Sequence, residues 1–224
     1  MKIVDASYEI LTPISEGGIE ELKMIEKAAR ICYRSENLIT EDGESAKKLI
    51  SNLIKAKHFA MLEHSILSVK FTVDRAIANE LVRHRIASFA QESSRYCSYN
   101  KDKFGNEISF VDLDWSMGNF PTSNKWDEID VNKIIDEWKE AMADAERHYM
   151  NLMNLGCTAQ IARSVLPCST KTEIVMTCNY REWREVFKLR ASSKAHPAMW
   201  AIMIPLLDEL QEKIPIIFDD IEVN

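Results

Sequence analysis

The chain has 224 residues, 46% of them hydrophobic and 28% charged, which is enough to bury one core and favours a single domain spanning residues 1–224. With 28 Lys and Arg against 35 Asp and Glu, the formal net charge is −7. A protein that repels phosphate backbones on average is a poor general nucleic-acid binder, so its basic residues are expected to act locally.

Cysteine content and apolar runs exclude further classes of protein. The five cysteines are an odd number without a C-x-x-C pair, which argues against a disulfide framework and a cysteine zinc site and favours a reducing cytoplasm. The longest apolar run, residues 198–207, contains Pro205 and is far shorter than the ~20 residues that a membrane-spanning helix needs. We therefore expect a soluble protein with no membrane partner.

Hydrophobic periodicity predicts the elements of the first half of the chain. Apolar and polar residues alternate over residues 4–10 and again over residues 67–73, which is typical of half-buried strands in an antiparallel sheet. Apolar residues with helical spacing flank the second of these strands. The predicted helices run from Ile19 to Cys32, from Ser45 to Ala56, and from an N-cap at Asp74 to about Ala87.

The second half continues the mixture of helices and strands. A short strand is expected at residues 108–111 and a longer one at residues 171–178. Helices are predicted at residues 134–152, with an end at Gly156, and at residues 179–190 and 197–213. The apolar face of the first of these helices would consist of Ile134, Trp138, Ala141, Ala145, His148 and Leu152. These elements predict one α+β domain, with an antiparallel-type sheet packed against several helices.

A stretch of fourteen residues, Arg83 to Tyr96 (RHRIASFAQESSRY), contains three arginines, one histidine and three serines in this acidic chain. If the preceding helix continues to about Ala87, Arg83 and Arg85 point about 200° apart and cannot grip one phosphate together. We expect the stretch to lie between two anionic groups, with Arg95 returning from the following loop and serine hydroxyls adding neutral donors. The alternative is a surface helix with solvated arginines followed by a polar loop.

Two arginines in the second half of the chain are also candidates for ligand binding. Asn179 and Glu182 resemble a capping box that opens a helix. One face of that helix carries Trp183, Val186, Phe187 and Arg190. A guanidinium on an apolar face needs a partner, either a protein carboxylate or an anionic ligand. Arg163 is either a second ligand-binding arginine or a solvent-facing residue at a helix end.

The order R-H-R-x-x-S, four residues, then S-x-R-Y at Arg83 to Tyr96 resembles the signature of the flavin-dependent thymidylate synthases. The similarity extends over most of the chain. His58 lies in a turn before a predicted strand, and residues 163–167 resemble the Arg-x-x-Leu-Pro segment of the family. Residues 179–190 and the later Ala195-His196-Pro197 resemble its C-terminal elements in the same order.

This resemblance implies an enzyme that reductively methylates deoxyuridine monophosphate (dUMP) to dTMP. FAD would be the cofactor, 5,10-methylenetetrahydrofolate the carbon donor and NADPH the reductant, without an enzyme cysteine as nucleophile. The family fold also implies a cytoplasmic homotetramer with active sites shared between subunits.

The site residues implied by the resemblance fall into two groups. Those expected at dUMP are Glu80, Arg83, Gln91, Glu92, Ser93, Ser94, Arg95, Arg163 and Arg190. Those expected at FAD are His58, Ala60, Arg83, His84, Arg85, Gln91, Asn179, Arg181 and Glu185. Arg190 would be catalytic, since a cation at the uracil ring favours loss of the ring-nitrogen proton. Arg163 would reach the nucleotide from a neighbouring subunit.

The chain departs from the family pattern at a few of these positions. Many relatives have Asn-Glu where this chain has Ala90-Gln91, with Glu92 one place later. Glu80 stands where some relatives carry a Gln near the nucleotide, and Glu185 where some carry an Asn near the flavin.

Other chemistries are less well supported by the sequence. His58, Glu63 and His64 lack the usual zinc spacing, so no metal is expected. Ser93 has no evident orienting carboxylate for a nucleophilic role, and we interpret it as a ligand-binding residue. Two alternatives stay open: a non-catalytic nucleotide- or RNA-binding module, and a flavoenzyme acting on another nucleotide. The net charge of −7 and the scarcity of aromatic residues near the arginines argue against RNA.

Overall fold

Alternating burial produces the two longest strands. The computed structural model describes residues 1–102, 105–113 and 131–223, and its long strands are Ile66–Asp74 and Lys171–Asn179. In the first of them, Leu67, Val69, Phe71 and Val73 are at most 1% exposed. Both predicted strands are confirmed, and each ends at the residue that caps the following helix.

The strands form two sheets. In chain order they are β1 (Lys2–Val4), β2 (Ser7–Ile10), β3 (Ile66–Asp74), β4 (Ser88–Gln91), β5 (Ser109–Val111) and β6 (Lys171–Asn179). A four-stranded antiparallel sheet has the order β2-β3-β6-β4, as the predicted fold class requires. β1 and β5 form a separate parallel pair in which Val4 lies opposite Val111.

The strand predicted at residues 4–10 is in fact two strands. The Asp112 N–H donates to the Val4 carbonyl oxygen at 2.9 Å, beside β1. The Leu11 N–H donates to the Ser68 carbonyl oxygen at 2.9 Å, just after β2. The chain changes sheet between these strands, and an unbroken alternation of apolar and polar residues cannot reveal such a change.

Most helices lie where periodicity predicts them. They are α1 (Ile19–Ile31), α2 (Glu44–Lys55), α3 (Arg75–Leu81), α4 (Val131–Asn154), α5 (Ala159–Ala162), α6 (Tyr180–Arg190), α7 (Pro197–Lys213) and α8 (Pro215–Phe218). Short 3-10 helices occur at Glu16–Gly18, Glu36–Leu38, Phe59–His64 and Arg163–Val165. The predictions for α1, α2, α6 and α7 are confirmed to within two residues.

The predicted buried face of α4 is wrong in part. Met142 and Tyr149 are buried, whereas Ala141 and His148 are exposed. The inward face includes Glu146, whose carboxylate accepts a hydrogen bond from the Ile108 N–H at 2.7 Å. Because a carboxylate lies on the inner face, the positions of apolar residues alone do not show which face of the helix is buried. The predicted end of the helix is confirmed, because Gly156 has the left-handed φ of 93° that suits a C′ residue.

The described residues form two compact units. The first consists of Met1–Ser7, Phe71–Arg83 and Ala90–Val175, and the second of Tyr8–Lys70, His84–Phe89 and Met176–Asn224. That residues 1–224 act as a single domain stays a prediction.

In the first unit, the core forms where α4 meets the residues around β5. Its buried members are Tyr99, Ile108, Phe110, Met142, Tyr149 and Ala162. The rings of Tyr99 and Tyr149 are tilted, with centroids 5.6 Å apart. This packing holds the segment that follows the Arg83–Tyr96 stretch.

In the second unit, α6 is the central element of the core. The Trp183 and Phe187 rings stack with centroids 5.6 Å apart, and Phe187 meets Phe218 of α8 edge-on. Arg184 is buried among them with 2% exposure. Its guanidinium donates to the Ile217 carbonyl oxygen and to both carboxylate oxygens of Asp220. A buried cation thus ties the C-terminal segment to α6.

Across the ranges that the structure describes, we find no helix that combines the length and the apolar character needed to cross a membrane.

We expect Arg184→Ala to lower the free energy of unfolding by at least about 2 kcal/mol, because charge-assisted hydrogen bonds contribute about 1.5–3 kcal/mol each. The comparison variant is Asp220→Asn, which keeps the shape of the side chain. Hydrogen bonds from Arg184 hold the pKa of Asp220 below its ordinary value. The stabilisation from Asp220 should therefore be present above an unfolded pKa of about 4 and be lost as the pH falls through the lower folded pKa.

Urea unfolding of the wild type and both variants between pH 2.5 and 7 measures this effect. The difference between wild type and Asp220→Asn should shrink at the acidic end of the range. A difference that is independent of pH would contradict the proposed ion pair.

Candidate functional site

The helix before the Arg83–Tyr96 stretch ends earlier than predicted. Asp74 caps α3 as expected, since its Oδ1 accepts a hydrogen bond from the Ile77 N–H at 2.7 Å. α3 nevertheless ends at Leu81 instead of near Ala87, and Arg83 lies in the turn that follows. Arg83 and Arg85 therefore do not lie on this helix, and the predicted divergence of about 200° between them is wrong.

Strand β4 follows the turn after α3. Residues 88–91 extend as an edge strand of the four-stranded sheet, next to β6. Just beyond the strand, the Glu92 N–H donates to the Glu173 carbonyl oxygen at 2.8 Å. Side chains also bridge the strands, because the Gln91 Nε2 donates to Thr172 Oγ1 at 3.3 Å. Residues 82–87, which were predicted to be helical, instead connect α3 to this strand.

In the first unit, Arg163 lies beside the serines of the stretch. Its Nη1 donates to the Ser94 Oγ of the same chain at 3.3 Å. The Arg95 N–H donates to the Ser93 Oγ at 3.4 Å, and the Arg95 guanidinium lies 5.4 Å from the centroid of the Tyr96 ring. Ser94 is buried, whereas Arg95 is exposed. Arginine and serine side chains placed in this way form a suitable site for an oxyanion.

Glu92, which was expected at the nucleotide, is held by neighbouring residues of the first unit. Its Oε1 accepts a hydrogen bond from the Tyr99 hydroxyl at 3.0 Å, and its Oε2 accepts one from Lys171 Nζ at 3.1 Å. Burial and the adjacent Glu92 carboxylate raise the pKa of Tyr99 above its ordinary value. Glu92 therefore anchors the segment that carries Ser93 to Arg95.

The remaining residues expected at dUMP in this unit are Glu80, Arg83 and Gln91. Arg83 and Gln91 are exposed, and Glu80 is partly buried on α3. The Arg83 N–H donates to the Glu80 carbonyl oxygen at 3.2 Å, which closes the turn after α3.

In the second unit, His84 and Arg190 form a direct pair. The Arg190 Nε donates to the His84 Nε2 at 3.0 Å. The other ring nitrogen, Nδ1, lies 3.6 Å from the Glu182 Oε1. His84 is only 6% exposed, and both its burial and the nearby Arg190 lower its pKa. The ring is thus held neutral, and it accepts from the guanidinium instead of repelling it.

Arg190 makes a contact that the sequence did not predict. Sequence reasoning correctly placed Trp183, Val186 and Phe187 in the core, and Arg190 on the same side is partly buried. One of its contacts is with an imidazole, and the expected carboxylate or ligand partner stays a prediction. The truly buried arginine, Arg184, was not anticipated, because its partner Asp220 lies in a C-terminal segment without a recognisable pattern.

Five of the residues expected at FAD line two cavities of the second unit. His58 and Ala60 line a mainly apolar cavity of about 530 Å³, together with residues of α1 and α2. Asn179, Arg181 and Glu185 line another of about 280 Å³, with Glu63, Ile86 and Glu182. Asn179 caps α6 through a 2.9 Å bond from the Glu182 N–H, and Arg181 pairs with Glu63 at 2.6 Å. Arg85 is exposed.

Within the described residues, no three His, Cys, Asp or Glu side chains cluster in a way that could hold a metal ion.

Comparison with known proteins decides the family. A family model described as thymidylate synthase complementing protein matches residues 19–216. The chain belongs to this family.

Relatives of this family member carry the name that the Arg83–Tyr96 stretch suggested. A flavin-dependent thymidylate synthase of Mycobacterium bovis is 30% identical over 214 residues, which cover 90% of this chain and 80% of the relative. One of Corynebacterium aurimucosum is 29% identical over 213 residues, covering 94% and 84%. The predictions of the family and of an enzyme are confirmed.

A solved structure agrees with the fold of this family member. The UMP/dUMP methylase PolB from Streptomyces cacaoi, crystallised with 5-Br dUMP, superposes with a TM-score of 0.75 at 21% identity. The match covers 98% of this chain and 96% of that one, so the predicted α+β class is confirmed.

We expect Glu92→Ala to lower the free energy of unfolding by about 1.5–3 kcal/mol, because it removes hydrogen bonds to both Tyr99 and Lys171. The matched control is Glu173→Ala, since Glu173 also pairs with Lys171 but its side chain is 49% exposed. Exposed pairs contribute about 0–1 kcal/mol, so the control should unfold almost like wild type. Urea titration measures both variants, and equal losses in the two would contradict the anchoring role of Glu92.

Proposed function

We propose that the protein is an FAD-dependent thymidylate synthase that methylates dUMP to dTMP. In this proposal 5,10-methylenetetrahydrofolate donates the carbon and NADPH the electrons. Membership in a family whose relatives are named flavin-dependent thymidylate synthases supports the cofactor and the reaction class. The main structural support is the contact between Arg163 and Ser94, because Ser94 lies within the Arg83–Tyr96 stretch that bears the family signature.

The nucleotide phosphate would bind at the first-unit cluster. Arg163 and Arg95 supply charge, and Ser93 and Ser94 supply hydroxyl donors beside backbone amides. Exposed Arg83 and Gln91 would complete this group, with Glu80 close in sequence. Glu92 would act mainly by holding the segment in place.

The side chains of the second unit fit the chemical parts of FAD. The apolar cavity beside His58 and Ala60 has the size and lining for a planar aromatic ring. Arg181 and exposed Arg85 could hold pyrophosphate oxygens, while His84, Asn179 and Glu185 would offer polar contacts. When bound, FAD supplies the hydride that reduces the transferred carbon to a methyl group.

Arg190 would activate the uracil ring. A guanidinium at the ring favours the anion left when the ring nitrogen loses its proton, and the electron-rich ring then attacks the carbon donor. The His84 ring that accepts from Arg190 is neutral, so this contact does not cancel the positive charge. The cation is thus oriented by a hydrogen bond without being neutralised by it.

A cysteine nucleophile is not part of this mechanism. Burial raises the pKa of the Cys178 thiol far above its ordinary value, which suppresses the thiolate that a nucleophile requires. Cys32 and Cys168 are exposed, and Cys97 and Cys157 are partly buried.

We further propose a cytoplasmic homotetramer with shared active sites. The contact with Ser94 groups Arg163 with the Ser93–Arg95 segment of its own chain. The family resemblance implied that Arg163 reaches the nucleotide from a neighbouring subunit; because of this contact, we instead propose that Arg163 and Ser93–Arg95 of one subunit work with Arg190 of another. Such sharing gives a chain of 224 residues enough surface to surround a nucleotide, a flavin and a folate together.

The proposal is tested by FAD binding and by dTMP formation from dUMP. Arg190→Ala should lower turnover by about 10²–10³-fold, as loss of a transition-state donor does. Arg190→Lys should recover little, because a point charge lacks the planar fork of a guanidinium. Each of the five single Cys→Ser variants should keep wild-type turnover. FAD absorbance and the thermal midpoint serve as controls for folding.

Two outcomes would overturn this proposal. Wild-type turnover by a folded Arg190→Ala variant would remove the activating group. A protein that binds RNA at physiological salt but not FAD would be a nucleic-acid-binding module.

A mixing experiment tests the shared site. Arg163→Ala and Arg190→Ala oligomers should each be nearly inactive. When they are unfolded together and reassembled, some hybrid sites should join an intact Arg163 to an intact Arg190 and regain activity. Mass spectrometry confirms that hybrids have formed. If both residues serve a site from one chain, every hybrid site carries one lesion and mixing restores nothing.

A further inference from the structure

One imidazole lies between two charged side chains of the same helix. His84 Nε2 accepts a hydrogen bond from Arg190, and His84 Nδ1 faces Glu182 Oε1 at 3.6 Å. Glu182 and Arg190 are eight residues apart on α6, which corresponds to about 12 Å along the axis. Only long side chains that reach toward each other can address one ring from those positions.

The contact with Arg190 fixes where the proton of His84 resides. A guanidinium nitrogen only donates, so the His84 Nε2 must offer its lone pair across the 3.0 Å contact. A neutral imidazole that accepts at Nε2 carries its proton on Nδ1. That proton is directed to the side of the ring where the Glu182 carboxylate lies. At 3.6 Å the carboxylate acts mainly through its charge, because the separation exceeds that of a direct hydrogen bond.

The surroundings of Glu182 make its burial costly. Its side chain is 14% exposed, and burial together with the like charge of Glu185 raises its pKa. Arg181 acts in the opposite direction. Glu63 and Glu185 line the same small cavity, so three carboxylates and one guanidinium face this region. A carboxylate is retained in an unfavourable place, directly opposite the Nδ1 of His84.

We propose that Glu182 is a positioning residue, which holds the His84 ring in the Nδ1–H tautomer and thereby aims the Arg190 guanidinium. This inference rests on the proposed role of Arg190. Protonation of His84 would add a proton to Nε2, which could then no longer accept the hydrogen bond from Arg190. The His84 ring therefore orients Arg190 only while the imidazole is neutral.

The sign of the effect of Glu182 on His84 follows from its charge. A nearby carboxylate stabilises the imidazolium form, so removing the charge lowers the pKa of His84 further below its ordinary value. Arg190 opposes protonation of the ring from the other side. Glu182→Gln keeps an acceptor for Nδ1–H but removes the charge, whereas Glu182→Leu removes both.

Two variants and one control give distinct expectations for activity. In the pH profile of kcat/KM, the acidic limb of Glu182→Gln should lie about one pH unit lower than that of the wild type. The kcat of this variant at pH 8 should be close to that of the wild type. Glu182→Leu should lose about 10–100-fold in kcat at every pH, because Arg190 is no longer aimed. Glu212→Gln, which changes an exposed carboxylate on α7, should leave the profile unchanged.

Imidazole NMR provides a readout that needs no turnover. In protein labelled with ¹⁵N at histidine, His84 is assigned by comparison with His84→Asn. The wild type should show the Nδ1–H tautomer and a pKa below the ordinary histidine value. Glu182→Gln should keep the tautomer and lower that pKa, and Glu182→Leu should mix the tautomers.

The two readouts separate failure of this inference from failure of the proposed function. If the wild type does not form dTMP, the proposed function is wrong, and the spectra still decide how Glu182 acts on His84. A wild-type ring protonated on Nε2, or a Glu182→Gln variant whose His84 pKa and acid limb do not move, overturns the inference. Wild-type kcat in Glu182→Leu would also overturn it.

Discussion

The junction of β6 with α6 at Asn179 is the constraint on which the chemistry of the second unit depends. The Asn179 side chain accepts from the Glu182 N–H, which starts the helix at Tyr180 and fixes its rotation. Each residue advances the helix by about 100°, so a start one residue later would turn every side chain of α6 away from its partner. With the observed start, the aromatic residues enter the core, and Glu182 and Arg190 meet His84. A local backbone cap thus sets the geometry of a long-range polar contact.

Two arginines of α6 show how the partner determines what a guanidinium can do. Arg184 is buried and meets the Asp220 carboxylate through two nitrogens, so its charge is satisfied within the fold. Arg190 is partly buried, and its contacts include a hydrogen bond that its Nε donates to the His84 imidazole. The first arrangement stabilises the C-terminal segment against α6. The second orients a guanidinium, and the proposed electrostatic role of Arg190 depends on that orientation.

The sequence predicts those features that depend on local rules. Strands β3 and β6 follow from alternation, and the starts of α3 and α6 follow from capping by Asp74 and Asn179. β4 was missed because Ser88 to Gln91 show no alternation, and their extended form comes from pairing with β6. The length of α3 was overestimated because the apolar Ile86, which is exposed, was included in the helical pattern. The His84–Arg190 contact joins residues 106 positions apart, and no periodicity or spacing rule reports such a pairing. The family signature indicated the residues of the candidate site, but only coordinates show which partner each of them has.

The departure from the family pattern at Ala90-Gln91-Glu92 has a structural explanation. Successive residues of an extended chain point to opposite faces, so moving a carboxylate by one place moves it to the other side of the strand. Gln91 bridges to Thr172 on one side, while Glu92 meets Tyr99 and Lys171. A carboxylate at position 91 would face a neutral hydroxyl, whereas at position 92 it meets a cation and a phenol. Glu92 therefore acts as an anchor of this segment. Ser93 to Arg95 follow directly after this anchor, so the position of the oxyanion cluster depends on a residue that need not touch the ligand.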